Sequence, residues 1–485
     1  MGDPTEGGII VMGQKAGITK KTLEQEGYTK IGEIPFDSSA KYMAAAYEYP
    51  NGSKSILLKG APDVLMNKSG LSKRSLEKCR LANDEFARNG MRVLAFAKSA
   101  DYEGDGSGES MKAHLEKGIK LLGLAGIIDP PRADVKDAIK VTLDAGIRVI
   151  MITGDHPETA LNIAKSIGMH IKGDVISGVE MDEMSDDELA EAIKSTSVFA
   201  RVSPENKLQI VRALKIGNEI TAMTGDGVND APALNGADIG IAMGIRGTEV
   251  AKDASDMILL DDRFSTIVDA IKEGRIIFDN IEKFVYFLFS CNVVEIFAIF
   301  LAISLSLPMP VLPLHILWLN LVVDILPAMS LAWEPGDKHI MKRAPRDPEK
   351  AIVTKSFLAN VLLSGALIGL GALGIFVFAM QMDFGVDTAR TMAFSTMAFG
   401  QLLHIFNARN IRGFGFDKTV LKNLYLPGAV AISILLQLLV VYLPFFNKVM
   451  ETVPLDGIKW LWVIAFSAIP TALIQLKRKL IPSKV

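Results

Sequence analysis

The pattern of hydrophobic and polar positions divides the 485-residue chain into two parts. Up to about residue 280, apolar and charged residues are mixed as in a cytosolic globular protein. From Phe284 onward, long apolar runs are separated by short polar loops. Six of these runs approach the roughly 20 residues that a helix needs to cross the hydrocarbon core of a bilayer. The pattern predicts six transmembrane spans, at 283–305, 311–332, 356–380, 390–409, 422–445 and 458–478.

The charges of the loops between these spans indicate an orientation. Lysine and arginine concentrate in the loops after the second and fourth spans and in the tail after the sixth, and the other loops are poor in both. Since basic loops remain on the cytoplasmic side of a membrane, we expect the polar part of the chain and its carboxyl terminus to lie in the cytoplasm. The fourth span gives the weakest signal, because Gln401 and His404 interrupt it.

The polar part shows two different patterns. Residues 28–59 alternate polar and apolar positions, which is typical of a half-buried antiparallel sheet, and helical stretches follow near 62–90. Residues 120–260 instead alternate short apolar runs with helical patterns, as the units of a parallel sheet do. We therefore place a domain boundary near residue 118 and expect three domains, at 1–117, 118–280 and 281–485.

Composition narrows the classes of function. Mean hydropathy is +0.28 although 22% of the residues are charged, so the apolar residues must be segregated along the chain. The net charge of −3 gives no argument for nucleic acid as a partner. The two cysteines, Cys79 and Cys291, are far apart, which argues against a disulfide framework and against a cysteine metal site. The six spans exclude a soluble phosphatase.

Two glycine turns, TGD at 153–155 and TGDGVND at 224–230, follow apolar runs that resemble buried strands. At the carboxyl end of a parallel strand, such a turn presents a hydroxyl and backbone N–H groups to a phosphate. Carboxylates beside a phosphate need a hard cation between them, so Asp226 and Asp230 predict Mg²⁺. Lys207 can meet the phosphate as a point charge. The TGD triplet alone is also common where a strand ends in an ordinary turn, whereas the seven-residue run is a far more specific signal of a phosphate site.

Polar residues inside the predicted spans are candidates for a cation site, because they are costly in lipid. In the first span, Asn292 and Glu295 are three residues apart and share a helix face. In the second, Asn320 and Asp324 are four apart, again on one face. Pro327 follows and would leave carbonyl groups of the preceding turn free. Carboxylate and amide oxygens at this depth suit a hard cation, and hydrogen bonding between helices is the alternative.

The longest of these motifs, TGDGVNDAPAL at 224–234, resembles the hinge motif of P-type ATPases. GDPTE at 2–6, KGAP at 59–62, MRVL at 91–94 and DPPR at 129–132 match the same family. Its members insert a nucleotide-binding domain into a phosphorylation domain. The resemblance implies a multidomain fold: an incomplete α/β haloacid-dehalogenase-like phosphorylation domain, an incomplete α+β nucleotide-binding domain and an all-α bundle of six transmembrane helices.

The resemblance also implies ATP and Mg²⁺ as cofactors and roles for the matching residues. Thr153 and Gly154 would hold the transferred phosphoryl group, and Lys207 would neutralise it. Phe36 would stack on adenine and Arg92 would lie near the phosphates. The phosphate and magnesium site would comprise Thr153, Gly154, Asp155, Lys207, Asp226, Asn229 and Asp230, and the nucleotide site Glu6, Phe36, Lys41, Lys59, Arg92 and Arg201.

SCNVVE at 290–295 and LWLNLVVD at 317–324 resemble the ion-binding helices of calcium-pump-like members of the family. Relatives with two calcium sites tend to carry a threonine and a glutamate where this chain has Val323 and Gln401. The remaining groups suit one divalent ion, with Ca²⁺ favoured, or a monovalent ion such as Na⁺. The residues implied for the transported cation are Asn292, Glu295, Asn320, Asp324 and Gln401.

One family motif does not occur in this sequence. P-type ATPases are phosphorylated on the aspartate of DKTGT, and the nearest string, DKTV at 417–420, falls in the loop after the fourth span. We therefore expect no phosphoenzyme from this chain alone. Three hypotheses remain: part of a calcium-type pump, a non-catalytic nucleotide-binding or regulatory membrane protein, or one half of a split pump. The expected partners are the transported cation, membrane lipid and, for a split pump, an amino-terminal half.

Overall fold

The computed structural model describes residues 4–480 apart from 38–39, 89, 129, 412, 414 and 417. The motifs GDPTE at 2–6 and DPPR at 129–132 therefore lie partly outside the described residues. The chain forms two compact units, each with its own hydrophobic core. One comprises Met1–Leu143 and Arg148–Ser265, and the other Asp144–Ile147 and Thr266–Val485.

The described part of the first unit begins with a five-stranded antiparallel sheet in the order β1-β2-β3-β4-β5. The strands expected over 28–59 are present. Because side chains alternate between the two faces of a strand, Ala44, Ala46 and Ile56 point to one face, where helices cover them and form a core. The strands are β1 (Thr29–Asp37), β2 (Tyr42–Glu48), β3 (Lys54–Gly60), β4 (Arg92–Ser99) and β5 (Lys120–Ile127); the helices are α1 (Pro4–Lys15), α2 (Lys20–Gln25), α3 (Pro62–Lys68), α4 (Lys73–Arg88) and α5 (Gly108–Leu115).

Strand β5 lies beyond the boundary expected near residue 118, yet it belongs to this first sheet. It pairs antiparallel with β4, from Arg92 opposite Ile127 to Lys98 opposite Lys120. Including this run among the parallel units was wrong, because a short apolar run fits an antiparallel strand as well as a buried parallel one. The next helix begins only at Val135.

The rest of the described first unit alternates strands and helices, and its strands pair in parallel, as expected from the sequence. Two three-stranded sheets form, in the orders β6-β8-β7 and β11-β10-β9. Ile152 packs against the hydrophobic clusters of both. The strands are β6 (Met151–Ile152), β7 (Ile176–Ser177), β8 (Val198–Ala200), β9 (Ala222–Gly225), β10 (Ile239–Met243) and β11 (Met257–Leu259); the helices are α6 (Val135–Asp144), α7 (Pro157–Ser166), α8 (Gly178–Asp182), α9 (Asp186–Ala192), α10 (Pro204–Ile216), α11 (Ala231–Gly236) and α12 (Glu249–Asp253).

The second unit is helical. Among the described residues, five helical stretches are long and apolar enough to cross a membrane: Phe264–Ser304, Pro313–Trp333, Lys355–Gln381, Tyr425–Tyr442 and Gly457–Leu480. They correspond to five of the six predicted spans and support a multi-pass membrane protein. The helices are α13 (Phe264–Ser304), α14 (Pro313–Trp318), α15 (Ile325–Ser330), α16 (Lys355–Gln381), α17 (Val386–Arg409), α18 (Tyr425–Tyr442), α19 (Pro444–Met450) and α20 (Gly457–Leu480).

The fourth predicted span, 390–409, corresponds to α17, which is not among the five stretches. Most of this helix is buried, and it packs against α16, α18 and α20. Its polar residues Gln401, His404 and Asn407 are fully buried. A helix that faces other helices instead of lipid can carry such residues, so its hydropathy is low for a structural reason. That it spans the membrane stays a prediction.

Candidate phosphate and cation sites

The TGD turn at the end of β6 is closed by its own side chains. The Thr153 hydroxyl donates to Asp155 Oδ2 and accepts from the Asp155 N–H, both at 3.1 Å. The turn is also tied to the end of the neighbouring strand β8, because the N–H groups of Arg201 and Val202 donate to the carbonyls of Asp155 and Thr153 at 3.0 and 3.1 Å. Parallel pairing of β6 and β8 thus brings Thr153, Gly154, Asp155 and Arg201 to one edge.

The glycine turn after β9 is held together by Asp230, whose side chain is buried. Its Oδ2 accepts the N–H groups of Asp226 and Gly227 at 3.1 and 3.0 Å, and its Oδ1 lies 2.5 Å from Lys207 Nζ. Gly225 is needed here, because an added Cβ would lie 2.5 Å from Asp230 Cβ. Burial raises the pKa of Asp230, but the Lys207 ammonium and the two N–H groups outweigh it and hold the pKa below its usual value.

Lys207 reaches Asp230 because helix α10 begins at a well-capped position. The Ser203 hydroxyl accepts the Asn206 N–H, and the Asn206 side chain accepts the Ser203 N–H in return. Pro204 follows at the first helical position, where its missing N–H costs nothing. Lys207 therefore stands one turn into a fixed helix.

The predicted magnesium ligands occupy different environments. Both oxygens of Asp230 already accept hydrogen bonds. The Asp226 carboxylate is exposed, and none of the described residues pairs with it. Asn229 is exposed next to it. Asp226 is thus the acid whose oxygens are available to a hard cation, whereas Asp230 fixes the turn and the lysine.

The residues predicted to bind nucleotide lie towards one end of the antiparallel sheet. Phe36 of β1 is 65% exposed, so it is not the core aromatic that an isolated phenylalanine usually is. The Lys41 carbonyl accepts the Ala61 N–H at 2.9 Å. Lys59, two residues earlier on β3, forms an ion pair with Glu6 of α1. Arg92 begins the adjacent strand β4 at the same end.

In the second unit, two acidic side chains and two side-chain amides lie close together. The Asn320 side-chain N–H group donates to both oxygens of Glu295, at 3.1 and 2.9 Å, and Gln401 approaches Glu295 from α17. Asp324 is fully buried, and no N–H or O–H group of the described residues donates to its carboxylate oxygens; the Cys291 thiol, a weak donor, lies against it. The Gln401 amide is likewise buried, and although it approaches Glu295 it makes no hydrogen bond of normal geometry with the described residues.

The fifth predicted residue, Asn292, does not join this cluster. Its side chain is exposed and donates to the Leu288 carbonyl of its own helix at 3.1 Å. The neighbouring Cys291 is buried instead and lies next to Asp324. Sequence reasoning missed this residue, because helical spacing alone does not tell which of two adjacent residues faces the bundle.

The helix that carries Asn320 and Asp324 departs from α-helical geometry at this point. Leu319–Val323 forms a π-helical segment, in which the Asp324 N–H donates to the Leu319 carbonyl at 3.0 Å. Such segments are often found at functional sites. Pro327 has no N–H for the Val323 carbonyl, which instead accepts the Ser433 hydroxyl at 3.2 Å. The proline thus releases a carbonyl from the helical hydrogen bonds, as the sequence predicts, and Ser433 of α18 binds it.

A buried carboxylate without partners is costly, so Asp324 must carry a proton or bind a cation. The described residues contain no cluster of three or more His, Cys, Asp and Glu side chains arranged for a metal. A site here would therefore combine two acids with amide and carbonyl oxygens. This donor set suits a hard ion and not a soft one.

Two family models match parts of the chain. A family model described as "P-type ATPase, cytoplasmic domain N" matches residues 1–134, and one described as "Cation transporting ATPase, C-terminus" matches residues 308–480. The first range includes β5, in line with its place in the antiparallel sheet.

Curated relatives match along nearly the whole chain. A calcium-transporting ATPase of Bacillus subtilis is 43% identical over 98% of this chain and 54% of its own length. Calcium-transporting ATPase 1 of Bacillus cereus is 40% identical over 99% and 56%, and calcium-transporting ATPase 1 of Saccharomyces cerevisiae 39% identical over 93% and 49%. The chain thus spans about half the length of these relatives. With both domain models matched, it belongs to the P-type cation-transporting ATPase family.

Proposed function

We propose that the chain supplies the nucleotide, phosphate and cation sites of a pump that couples ATP hydrolysis to the transport of a cation, with Ca²⁺ as the favoured ion. The observation that carries this proposal is the fully buried Asp324 beside Glu295, with no N–H or O–H group of the described residues donating to its oxygens. Relatives that are named calcium-transporting ATPases support the choice of ion. The basic loops support a cytoplasmic location for the first unit and the carboxyl terminus.

Several residues of the first unit would bind a phosphoryl group together, each in a different way. The Thr153 hydroxyl and the N–H groups of its turn bind phosphate oxygens, and Lys207 neutralises their charge. Asp230 keeps Lys207 and the Asp226 turn in position through its three hydrogen bonds. Bound Mg²⁺, held by Asp226 with Asn229 nearby, would supply the charge that lets a carboxylate approach a phosphate.

In the membrane, Glu295 and Asp324 provide two negative charges, and Asn320 and Gln401 provide amide oxygens. Where calcium-pump-like relatives tend to have a glutamate, the neutral Gln401 lowers the charge of the site. We therefore propose one bound divalent ion. The amide groups of Asn320 already hold Glu295 in place, so the ion would find at least one acid oriented before it arrives.

The sequence contains no DKTGT, and this supports the further proposal that the chain alone forms no phosphoenzyme. Its nucleotide and phosphate groups would then work together with a partner that provides the aspartate, or serve binding alone. A non-catalytic, regulatory membrane protein is the alternative function.

Calcium titration of the purified full chain in detergent, by isothermal calorimetry, tests the proposal. We expect one saturable site and a loss of affinity of more than about 10-fold in Asp324→Asn, since even outer-shell partners of a metal contribute 10- to 100-fold. Asn292→Ala is the matched control, because its exposed side chain lies outside the cluster and should leave affinity unchanged. ATP binding without calcium binding in the wild type would favour the regulatory alternative.

A further inference from the structure

A cavity of about 850 Å³ lies near the carboxyl end of α20, away from every residue assigned above. One wall is α20 itself. Leu403 of α17 lines the opposite side, together with Gly413 and Phe416 of the following loop. Ala472 and Leu476 make the α20 wall mostly apolar. The cavity therefore offers a hydrophobic surface within a membrane-spanning part of the chain.

Two polar atoms on the α20 wall lack partners in the described part of the chain. The Thr471 side chain is 5% exposed and its hydroxyl makes no hydrogen bond. Gln475 donates its amide N–H to Asn407, but its carbonyl oxygen is buried and unpartnered. Buried polar atoms of this kind are costly in a membrane helix.

Positive charge is concentrated at one end of the same cavity. Arg478 and Lys479 line it in the last turn of α20. The Arg478 guanidinium donates to the carbonyls of Asn407 and Asn410 at 2.7 and 2.8 Å and lies over the Tyr286 ring. Among the described residues, neither cation forms an ion pair with a carboxylate. This end of the cavity is thus cationic, and Arg478 is held there in a fixed orientation.

We propose that this cavity binds one anionic phospholipid. The phosphate would lie at Arg478 and Lys479, and the upper acyl chains would run along the apolar wall to the level of Thr471. Thr471 and Lys479 are eight residues apart, about 12 Å along a helix, which matches the separation of a lipid phosphate from its upper acyl chain. Basic pockets between transmembrane helices suit anionic headgroups, and the apolar wall distinguishes a lipid from free phosphate.

Native mass spectrometry of the delipidated full chain in detergent provides the test. The chain is titrated with palmitoyl-oleoyl phosphatidylglycerol and, separately, with phosphatidylcholine carrying the same acyl chains. We expect one saturable phosphatidylglycerol site, at least about fivefold tighter than any phosphatidylcholine site, and a loss of about fivefold in Lys479→Gln. Lys477→Gln is the matched control, since Lys477 belongs to the same turn but contacts Asn360 outside the cavity.

A second variant separates loss of the site from loss of the fold. Ala472→Phe fills the cavity from an exposed position, so the saturable lipid should disappear while size-exclusion behaviour and melting temperature stay as in the wild type. Three results would each overturn the proposal: equal affinity for the two lipids, equal losses in the two lysine variants, or displacement of the lipid by excess inorganic phosphate.

Discussion

Replacement of Asp230 by asparagine tests how the phosphate turn is built. The buried Asp230 carboxylate accepts hydrogen bonds from Lys207 and from the N–H groups of Asp226 and Gly227. Asparagine keeps the shape and one acceptor oxygen. It presents an amide N–H group to the Lys207 ammonium, so one contact becomes donor against donor. The variant therefore removes the ion pair and leaves the volume and shape of the buried side chain nearly unchanged.

The size of the effect follows from burial. Asp230 is 6% exposed, so Lys207 loses a partner that solvent replaces only in part. A charged hydrogen bond contributes about 1.5–3 kcal/mol, and breaking a buried pair costs about 3–5 kcal/mol. Since Lys207 is only partly buried, we expect Asp230→Asn to lower the free energy of local opening by about 2–4 kcal/mol. This corresponds to roughly a 30- to 1,000-fold increase in local opening.

Hydrogen exchange resolved by mass spectrometry measures that opening in the full chain. Amides of residues 222–236 should exchange faster by this factor in Asp230→Asn. The control Glu249→Gln breaks an exposed pair with Lys252 and should change exchange by less than about threefold. Unchanged exchange in 222–236, or equal changes in the two variants, would refute the reasoning.

The same variant has a predicted pH dependence. The folded-state pKa of Asp230 is lowered, so its contribution to stability is present above the usual carboxyl pKa of 3.8 and is lost as pH falls through the lowered value. Asparagine does not titrate. The difference between wild type and variant should therefore shrink in acid and stay constant near neutral pH.

Three further predictions concern other parts of the chain. Phe36→Ala should weaken the binding of a fluorescent ATP analogue by about 5- to 150-fold, because it removes an exposed stacking surface worth about 1–3 kcal/mol; unchanged binding would place the base elsewhere. Glu334→Gln should lower the melting temperature of the detergent-solubilised chain, because it leaves Arg409, 2.6 Å from Glu334, buried without its anionic partner at a cost of about 3–5 kcal/mol; the double variant with Arg409→Met should recover part of the loss. Incubation with γ-labelled ATP should give no acid-stable, hydroxylamine-sensitive label, and such a label would show that another aspartate serves as nucleophile.

The sequence predicts the apolar helices of the second unit well where they face lipid, because hydropathy reflects contact with lipid. Five spans follow from it directly. The hydropathy signal is weakest for α17, which corresponds to the fourth predicted span. Its buried Gln401 and His404 face other helices, so its low hydropathy reflects contact with protein. Hydropathy likewise could not reveal the π-helical segment at Leu319–Val323, which depends on backbone hydrogen bonds.

The candidate sites were predictable as motifs but not in their detail. The glycine turns identify the phosphate residues, yet only the structure shows that Asp230 holds Lys207 and that the exposed Asp226 carboxylate pairs with none of the described residues. Helical spacing placed Asn292 with Glu295, whereas the structure buries Cys291 instead. One position along a helix is a rotation of about 100°, which a three-residue spacing does not determine.

The central claim is that a hard cation binds between Asp324 and Glu295. Long-wavelength anomalous diffraction from crystals of the full chain grown with calcium tests it most directly. We predict one anomalous peak, about 2.3–2.6 Å from an Asp324 carboxylate oxygen and within reach of Glu295. A structure with no peak there, in which the two acids share a proton or hydrogen-bond to other side chains, would contradict the account.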